Sequence, residues 1–521
     1  MEGSRSQAPA ARSQPGTVAL VGAGPGDPGL ITLRGVECLA AADVVLYDYL
    51  ANARLLEHCR ADAVLVCLGK HGRDRILSQD EINARMTSEA LAGRCVVRLK
   101  GGDPAVFARC SEEIAALEAA GLRYEVVPGI TTALAAGSHA GIALTDRRHA
   151  SAVALVTGHE QDDQSTSKLD YPALAKFPGT LVFYMGVTSA SAWTKQLIDA
   201  GMPAETPAAV IRRCSWPDQE THVTTLADVA EMMKRLKLRP PVLTIVGQTV
   251  AERSMHSWFA ERPLFGKRIV LTRPEDQCAA ARRKLADLGA DVLLQPAITI
   301  GPPDDWAPLD AALERLTDFD WIVFSSVNGV EAFFSRLARS GRDARALGRA
   351  KLAAIGPGTS EALAAWHLRT DLVPAEFRAE ALAAALAEEA KTGPRRFLLV
   401  RASRGREVLA ETLTAAGHAV TQAVAYRSAD TTTPDPEIAA LLKAGKIDWV
   451  TVTSSAIARS LVALFGDDLR KTKLASISPI TSGVLRELGH APAAEAREFT
   501  LDGIIQAIVA QVNGSEASVE P

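Results

Sequence analysis

Charged and hydroxylated residues in this sequence gather where apolar runs end. DVVLY (43–47) stops at Asp48, and AVLVCL (63–68) stops at Gly69 and Lys70. Short bulky runs of this kind fit parallel strands buried on both faces, and open α/β sheets keep their ligands at the carboxyl ends of such strands. A carboxylate and an ammonium at neighbouring strand ends can accept and donate a proton; the spacing suits a surface ion pair equally well. CVVRLK (95–100) runs into Gly101, Gly102 and Asp103. Such a turn brings backbone N–H groups to a small ligand while its carboxylate accepts from hydroxyls or an amine, and an ordinary tight turn has the same composition. YEVV (124–127) repeats the pattern and hands over to Pro128, Gly129, Ile130, Thr131 and Thr132.

These loops need a sheet to carry them, and VALVGAGPGDPGLITL (18–33) supplies a first strand and turn. Gly22, Gly24 and Gly26 permit positive φ and leave N–H groups for an anion. Spacing argues against a dinucleotide loop. The fingerprint G-x-G-x-x-G would place its third glycine where Asp27 stands, and Pro25 and Pro28 oppose a direct turn into a pyrophosphate-binding helix. A helix is predicted over 33–42. A second lobe is predicted to start at AVALVTGH (152–159), with strands at TLVFYM (180–185), AAVIRRC (208–214) and PVLTIVG (241–247). A methionine such as Met185 is more often packing than function.

At 521 residues the chain exceeds the ~250–300 at which single cores stop growing, so two modules or more are expected. With 47% hydrophobic and 23% charged residues the composition is globular, and no apolar run approaches the ~18 that cross a bilayer. A net charge of −4 argues against nucleic acid as the main partner; neither nucleic acid nor membrane is expected. Cys38, Cys59, Cys67, Cys95, Cys110, Cys214 and Cys278 form no C-x-x-C pair, which points to free thiols in a reducing cytoplasm rather than disulfides or a zinc site. Residues 1–16 lack an apolar h-region and read as a disordered tail.

WFAERPLFG (258–266) reads as a linker, and beyond it the chain repeats itself. KRIVLTR (267–273) is echoed by RRFLLVR (395–401), DWIVFSS (320–326) by DWVTVTS (448–454), and KLAAIGPGTS (351–360) by KLASISPITS (473–482). Three matched strand–turn–helix units in one order imply two similar α/β lobes facing a cleft. Each echo ends in small hydroxyl residues at a helix start, which suits N-capping and equally suits anion binding.

GAGPGDPGLITLRG, followed in order by YDYL, GK and KGGDP, resembles the S-adenosylmethionine (SAM)-dependent methyltransferases of tetrapyrroles, and within them the uroporphyrinogen-III C-methyltransferases. The likeness spans 17–257 and implies a two-lobed methylase fold, with lobes at about 17–150 and 151–257. It implies Asp48 as proton acceptor and Lys70 as proton donor. It also implies SAM contacts at Pro25, Gly101, Gly102, Asp103, Val106, Thr131, Thr132 and Met185, and at the position of Cys214. Methylating a pyrrole carbon needs no metal, but the ring must lose a proton. The sequence departs from the pattern in FARCSEE (107–113), where F-G-R-G-G-E-E is usual, and at Cys214, which replaces a glycine. The implied substrate carries eight carboxylates, making Arg147, Arg98 and Lys100 candidate anchors. A homodimer through this module is implied as well.

SSVNGV (325–330), VPAEFRAE (373–380), AVAYR (423–427) and TLDGI (500–504) resemble the sparse pattern of uroporphyrinogen-III synthase. That likeness implies a cofactor-free, two-lobed, flavodoxin-like fold over 267–515 with interlocked lobes, one from about 267–300 plus 427–515 and the other from 301–426, before a tail at 516–521. It implies that Tyr426 assists loss of the hydroxyl from hydroxymethylbilane and that Thr359 and Thr481 lie in the cleft; a packed strand aromatic fits Tyr426 equally. The expected whole is a cytoplasmic bifunctional enzyme. It would close hydroxymethylbilane to uroporphyrinogen III with inversion of ring D, then methylate C2 and C7 to give precorrin-2 for sirohaem or cobalamin. The alternative is a methyltransferase of the same class with another substrate, joined to a non-catalytic tetrapyrrole-binding domain.

Overall fold

In the computed structural model of the chain the described residues are 14–69, 77–159, 167–254 and 256–516. The chain divides after Gly266 into two compact units, and both are α/β. No helix among the described residues is long and apolar enough to cross a membrane.

The first unit holds two five-stranded sheets. In the first, β1 (Thr17–Gly22), β2 (Val44–Tyr47), β3 (Val64–Cys67), β4 (Val96–Lys100) and β5 (Arg123–Val127) are all parallel, in the order β3-β2-β4-β1-β5. Burial on both faces explains the apolar runs of β1, β2 and β4, whereas the edge strands β3 and β5 are largely exposed. Val18, Leu20, Val44, Leu46 and Val96 pack with Met86 and Leu117 on one face. Val21, Val45, Val97 and Leu99 pack with Leu39 and Leu55 on the other. The helix Gln79–Leu91 on the first face opens with a capping box, in which Ser78 accepts from the Glu81 N–H and Glu81 returns the bond. Asp27, the residue that breaks the dinucleotide spacing, caps only a single 3₁₀ turn, Pro28–Leu30.

The second sheet, ordered β6-β7-β10-β8-β9, is mixed. It contains β6 (Ala152–Thr157), β7 (Gly179–Tyr184), β8 (Pro207–Arg212), β9 (Glu220–Thr225) and β10 (Val242–Val246), with β6 parallel to β7 and the other pairs antiparallel. β9, ETHVTT, is an edge strand that the apolar pattern does not announce. Residues 258–266, expected as a linker, are packed: Phe259 and Leu264 are buried, Phe259 meets the edge of the His139 ring, and Gly266 donates to Pro217.

The second unit also has two sheets. One is β12-β11-β18-β19-β20, all parallel, from β11 (Arg268–Leu271), β12 (Asp291–Leu294), β18 (Trp449–Val452), β19 (Lys473–Ser476) and β20 (Ala494–Glu495). The other is β13-β17-β16-β14-β15, from β13 (Ile298–Gly301), β14 (Trp321–Phe324), β15 (Lys351–Ala354), β16 (Arg396–Ala402) and β17 (Ala419–Asp430), parallel except for β13 against β17. The repeats are thus exchanged. The first strand of repeat one (β11) pairs with the second strand of repeat two (β18), while β16 of repeat two pairs with β14 of repeat one.

Candidate active site

The carboxyl ends of the first sheet and one end of the second face a cavity of about 540 Å³ in the first unit. Pro25, Gly101, Gly102, Asp103, Val106, Thr131, Thr132, Met185 and Cys214 all line it, and so does Asp48. Lys70 lies outside the described residues.

Tight turns bring these groups together. Gly102 has φ +70 and pairs with Gly24 through two backbone bonds, Gly24 N–H to Gly102 O at 3.2 Å and Gly102 N–H to Gly24 O at 2.8 Å. Behind this pair, a Cβ on Gly22 would lie 2.5 Å from the Gly129 Cα, so the two loops meet backbone to backbone. Asp103 fixes the arrangement by accepting from Ala105 (2.8 Å) and Gly129 (2.9 Å). The second sheet contributes Tyr184, whose hydroxyl meets Thr131 Oγ1 at 2.7 Å and accepts from the Ala133 N–H at 2.9 Å. Burial pushes its phenol up. Burial also pushes the Cys214 thiol up to about 12, so it is a neutral, apolar piece of wall. Met185, half exposed with φ +54, stands on the rim rather than in the core.

Trp216 was not anticipated, and it lines the same cavity. A Cβ on Gly26 would lie 2.1 Å from its indole nitrogen, so the two sheets' loops are in direct contact there. Ser215 accepts from the Asp27 N–H at 3.0 Å, and Arg213 lies over the Trp216 ring at 4.3 Å. The aromatic in CSWPDQ was the available signal.

Behind Asp48 lies a buried ion chain. Arg98 donates to Asp48 at 2.7 Å and to Glu113 at 2.9 Å, and Lys100 donates to Glu113 at 2.6 Å. The side chains of Arg98, Lys100 and Glu113 are 4%, 2% and 0% exposed, against 30% for Asp48. Burial, with the Arg98 charge beside it, holds Lys100 below the usual lysine range. Arg98 and Lys100, candidate substrate anchors by their charge, instead sit on a strand covered on both faces and neutralise Glu113. Arg147 is misplaced for that task too. It lines a depression with Gly179, Thr206 and Val246, at the strand ends opposite the cavity. Glu113 was missed because its neighbour Glu112 makes an exposed pair with Arg109, and nothing in SEE distinguishes the two acids.

In the second unit Tyr426 is 8% exposed, its hydroxyl 3.0 Å from Ser326 Oγ, and it lines a cavity of about 240 Å³ with Ser325, Arg401 and Gln422. Thr359 and Thr481 do not line that cavity. Both are buried in the first turns of their helices, Thr481 Oγ1 at 3.2 Å from its N-cap Ser478. No cluster of three metal-ligating residues occurs among the described residues.

The fold and its cavity define an α/β enzyme with one small-molecule site built between two sheets and a second unit of exchanged repeats. Residues 17–230 match the family model "Tetrapyrrole (Corrin/Porphyrin) Methylases" and residues 279–506 match "Uroporphyrinogen-III synthase HemD". The chain belongs to these families, as a methyltransferase unit fused to a uroporphyrinogen-III synthase unit. It is 37% identical to the porphyrin biosynthesis protein HemD of Ruminiclostridium josui over 373 residues, 72% of this chain and 74% of that one. It is 41% identical to the uroporphyrinogen-III C-methyltransferase of Bacillus subtilis (strain 168) over 65% of this chain and 69% of that one. The siroheme synthase of Sodalis glossinidius (strain morsitans) is 45% identical over 48% of this chain, which spans about half of its length.

Proposed function

We propose that the second unit closes hydroxymethylbilane to uroporphyrinogen III with inversion of ring D, and that the first unit methylates the product at C2 and C7 with SAM, giving precorrin-2. The observation that carries this reading is that nine residues implied as cofactor contacts line one cavity together with Asp48.

The cavity suits a nucleoside sulfonium. Gly101 and Gly102 leave backbone without side chains, Thr131 and Thr132 offer hydroxyls, and Ile211, Leu243 and Cys214 supply apolar wall. When bound, SAM supplies an electrophilic methyl group. The ring carbon that takes it already bears a side chain and has no hydrogen, so the cationic macrocycle must then lose a proton from another ring position, and Asp48, on the cavity wall with one oxygen held by Arg98, is the acceptor. The bond from Arg98 fixes the direction of the carboxylate. In the second unit Tyr426 and Ser326 form the hydroxyl pair available to assist departure of the bilane hydroxyl.

A coupled assay tests the reading. Full-length chain with hydroxymethylbilane and SAM should give the type III macrocycle with a mass gain of two methyl groups. Spontaneous isomer I alone removes the synthase assignment, and uroporphyrinogen III without the mass gain removes the methyltransferase assignment.

A further inference from the structure

The exchanged repeat allows one lobe to serve as a control for the other. In the β13–β17 lobe, Arg401 at the end of β16 stands next to Ser325 at the end of β14, as the register Phe324 to Val400 dictates. Both are satisfied internally: Arg401 donates to Glu407 and Gln422, and Ser325 donates to the Val400 carbonyl at 3.5 Å. In the other lobe the same repeat positions are Arg273, after β11, and Thr453, after β18, brought side by side by the register Val270 to Val450. Both have lost their partners. The position of Glu407 is taken by Ala279, and the Arg273 guanidinium has no hydrogen bond or ion pair among the described residues. Thr453 is 7% exposed, and its hydroxyl is buried with no partner.

The two unmet groups lie at the point where the strand order turns, because β11 leads to β12 on one side and β18 leads to β19 on the other. That is the crevice in which open α/β sheets bind ligands. The helix Ser455–Phe465 begins directly after Thr453, so its first-turn N–H groups add to the positive end of the site. The loop after Arg273 also touches the other lobe: Gln277 donates to Asn328 at 2.6 Å, and Asn328 lies two residues after the N-cap Ser326 whose hydroxyl meets Tyr426.

We infer that Arg273 and Thr453 form a carboxylate subsite that holds one acidic side chain of the tetrapyrrole on which the second unit acts. This rests on the synthase reading above. A half-buried guanidinium and a buried hydroxyl without partners are unfavourable in the free protein and become favourable once a carboxylate accepts from both. Burial already holds Arg273 below the usual arginine range, which is the sign expected for a cation waiting for its counter-ion.

The test uses the full chain carrying Arg273→Met, Arg273→Lys or Thr453→Val. With hydroxymethylbilane, Arg273→Met should raise KM by on the order of tenfold to a hundredfold, the range for loss of a charge-assisted hydrogen bond, with a small change in kcat. Arg273→Lys should recover part of that loss and Thr453→Val should show a smaller one. Ligand-free Arg273→Met and Thr453→Val should melt no lower than the parent, whereas a purely structural role predicts lower melting. Binding of uroporphyrin III, a stable octacarboxylate, should weaken in the same order. A parent that makes uroporphyrinogen III alongside an Arg273→Met variant with KM and uroporphyrin affinity within twofold overturns the subsite alone. A parent that makes no type III isomer yet binds uroporphyrin through Arg273 overturns the synthase reading and leaves the subsite standing.

Discussion

Replacing Glu113 by glutamine tests whether the ion chain behind Asp48 is a unit. Glu113 is fully buried and is the carboxylate shared by Arg98 and Lys100, at 2.9 and 2.6 Å. The substitution leaves two cations buried with Asp48, 30% exposed, as the remaining acid in the chain. Removing one member of a buried ion pair costs about 3–5 kcal/mol, and the lower end applies because the amide oxygen can still accept from one cation. At roughly 2–4 °C per kcal/mol for a unit of this size, the first unit should melt about 6–12 °C lower. Lys100→Met added to Glu113→Gln removes the stranded ammonium, so the double variant should regain at least half of the loss. Thermal unfolding of the full chain measures the shift. Hydrogen exchange on peptides spanning 96–117 then assigns it to the first unit, independently of the second. A fall below about 2 °C for the single variant, or a deeper fall for the double, would refute the idea that these charges neutralise one another as one group.

Asp48→Asn should slow methyl transfer by about 10²- to 10⁴-fold while SAM binding by calorimetry stays within a few-fold of the parent, because only the proton acceptor is lost. Gly102→Ala forces φ +70 on a residue with a Cβ and should weaken SAM binding while leaving uroporphyrinogen III formation unchanged. His139 is buried between Trp258 and Phe259, and burial lowers its pKa from the ordinary 6.5. As pH falls through 6.5 the unfolded chain gains a proton that the folded one resists, so stability should drop on the acid side. His139→Gln should flatten that part of the melting profile, and a parallel profile in the variant would count against the assignment.

The short strands β12, β13 and β20 escaped the sequence reading, whereas most inner strands of both units were legible because buried parallel strands carry continuous apolar runs, and the repeat was legible because its runs recur in order. The edge strand β9 was not, since ETHVTT has neither a run nor clean alternation. The cavity residues could be read as a set through a resemblance, whereas Trp216 could not, because its position depends on the second sheet's loop reaching Gly26. Arg98 and Lys100 show the limit most clearly. In one dimension they are cations near a glycine turn; their role follows from Glu113, which a helix thirteen to fifteen residues later delivers to the inside of the sheet.

The exchanged sheets also set an order in which the nascent second unit can assemble. β13 and β17, antiparallel from Ile298–Asp430 to Gly301–Arg427, close a sheet whose strands all lie between those residues, so it can form as soon as that stretch has left the ribosome. β11 and β12 emerge earlier but must wait for β18, since Ile269 pairs with Trp449. Until then the inner edge of β11 stays open, a site for chaperone capture or mispairing between neighbouring chains on one messenger.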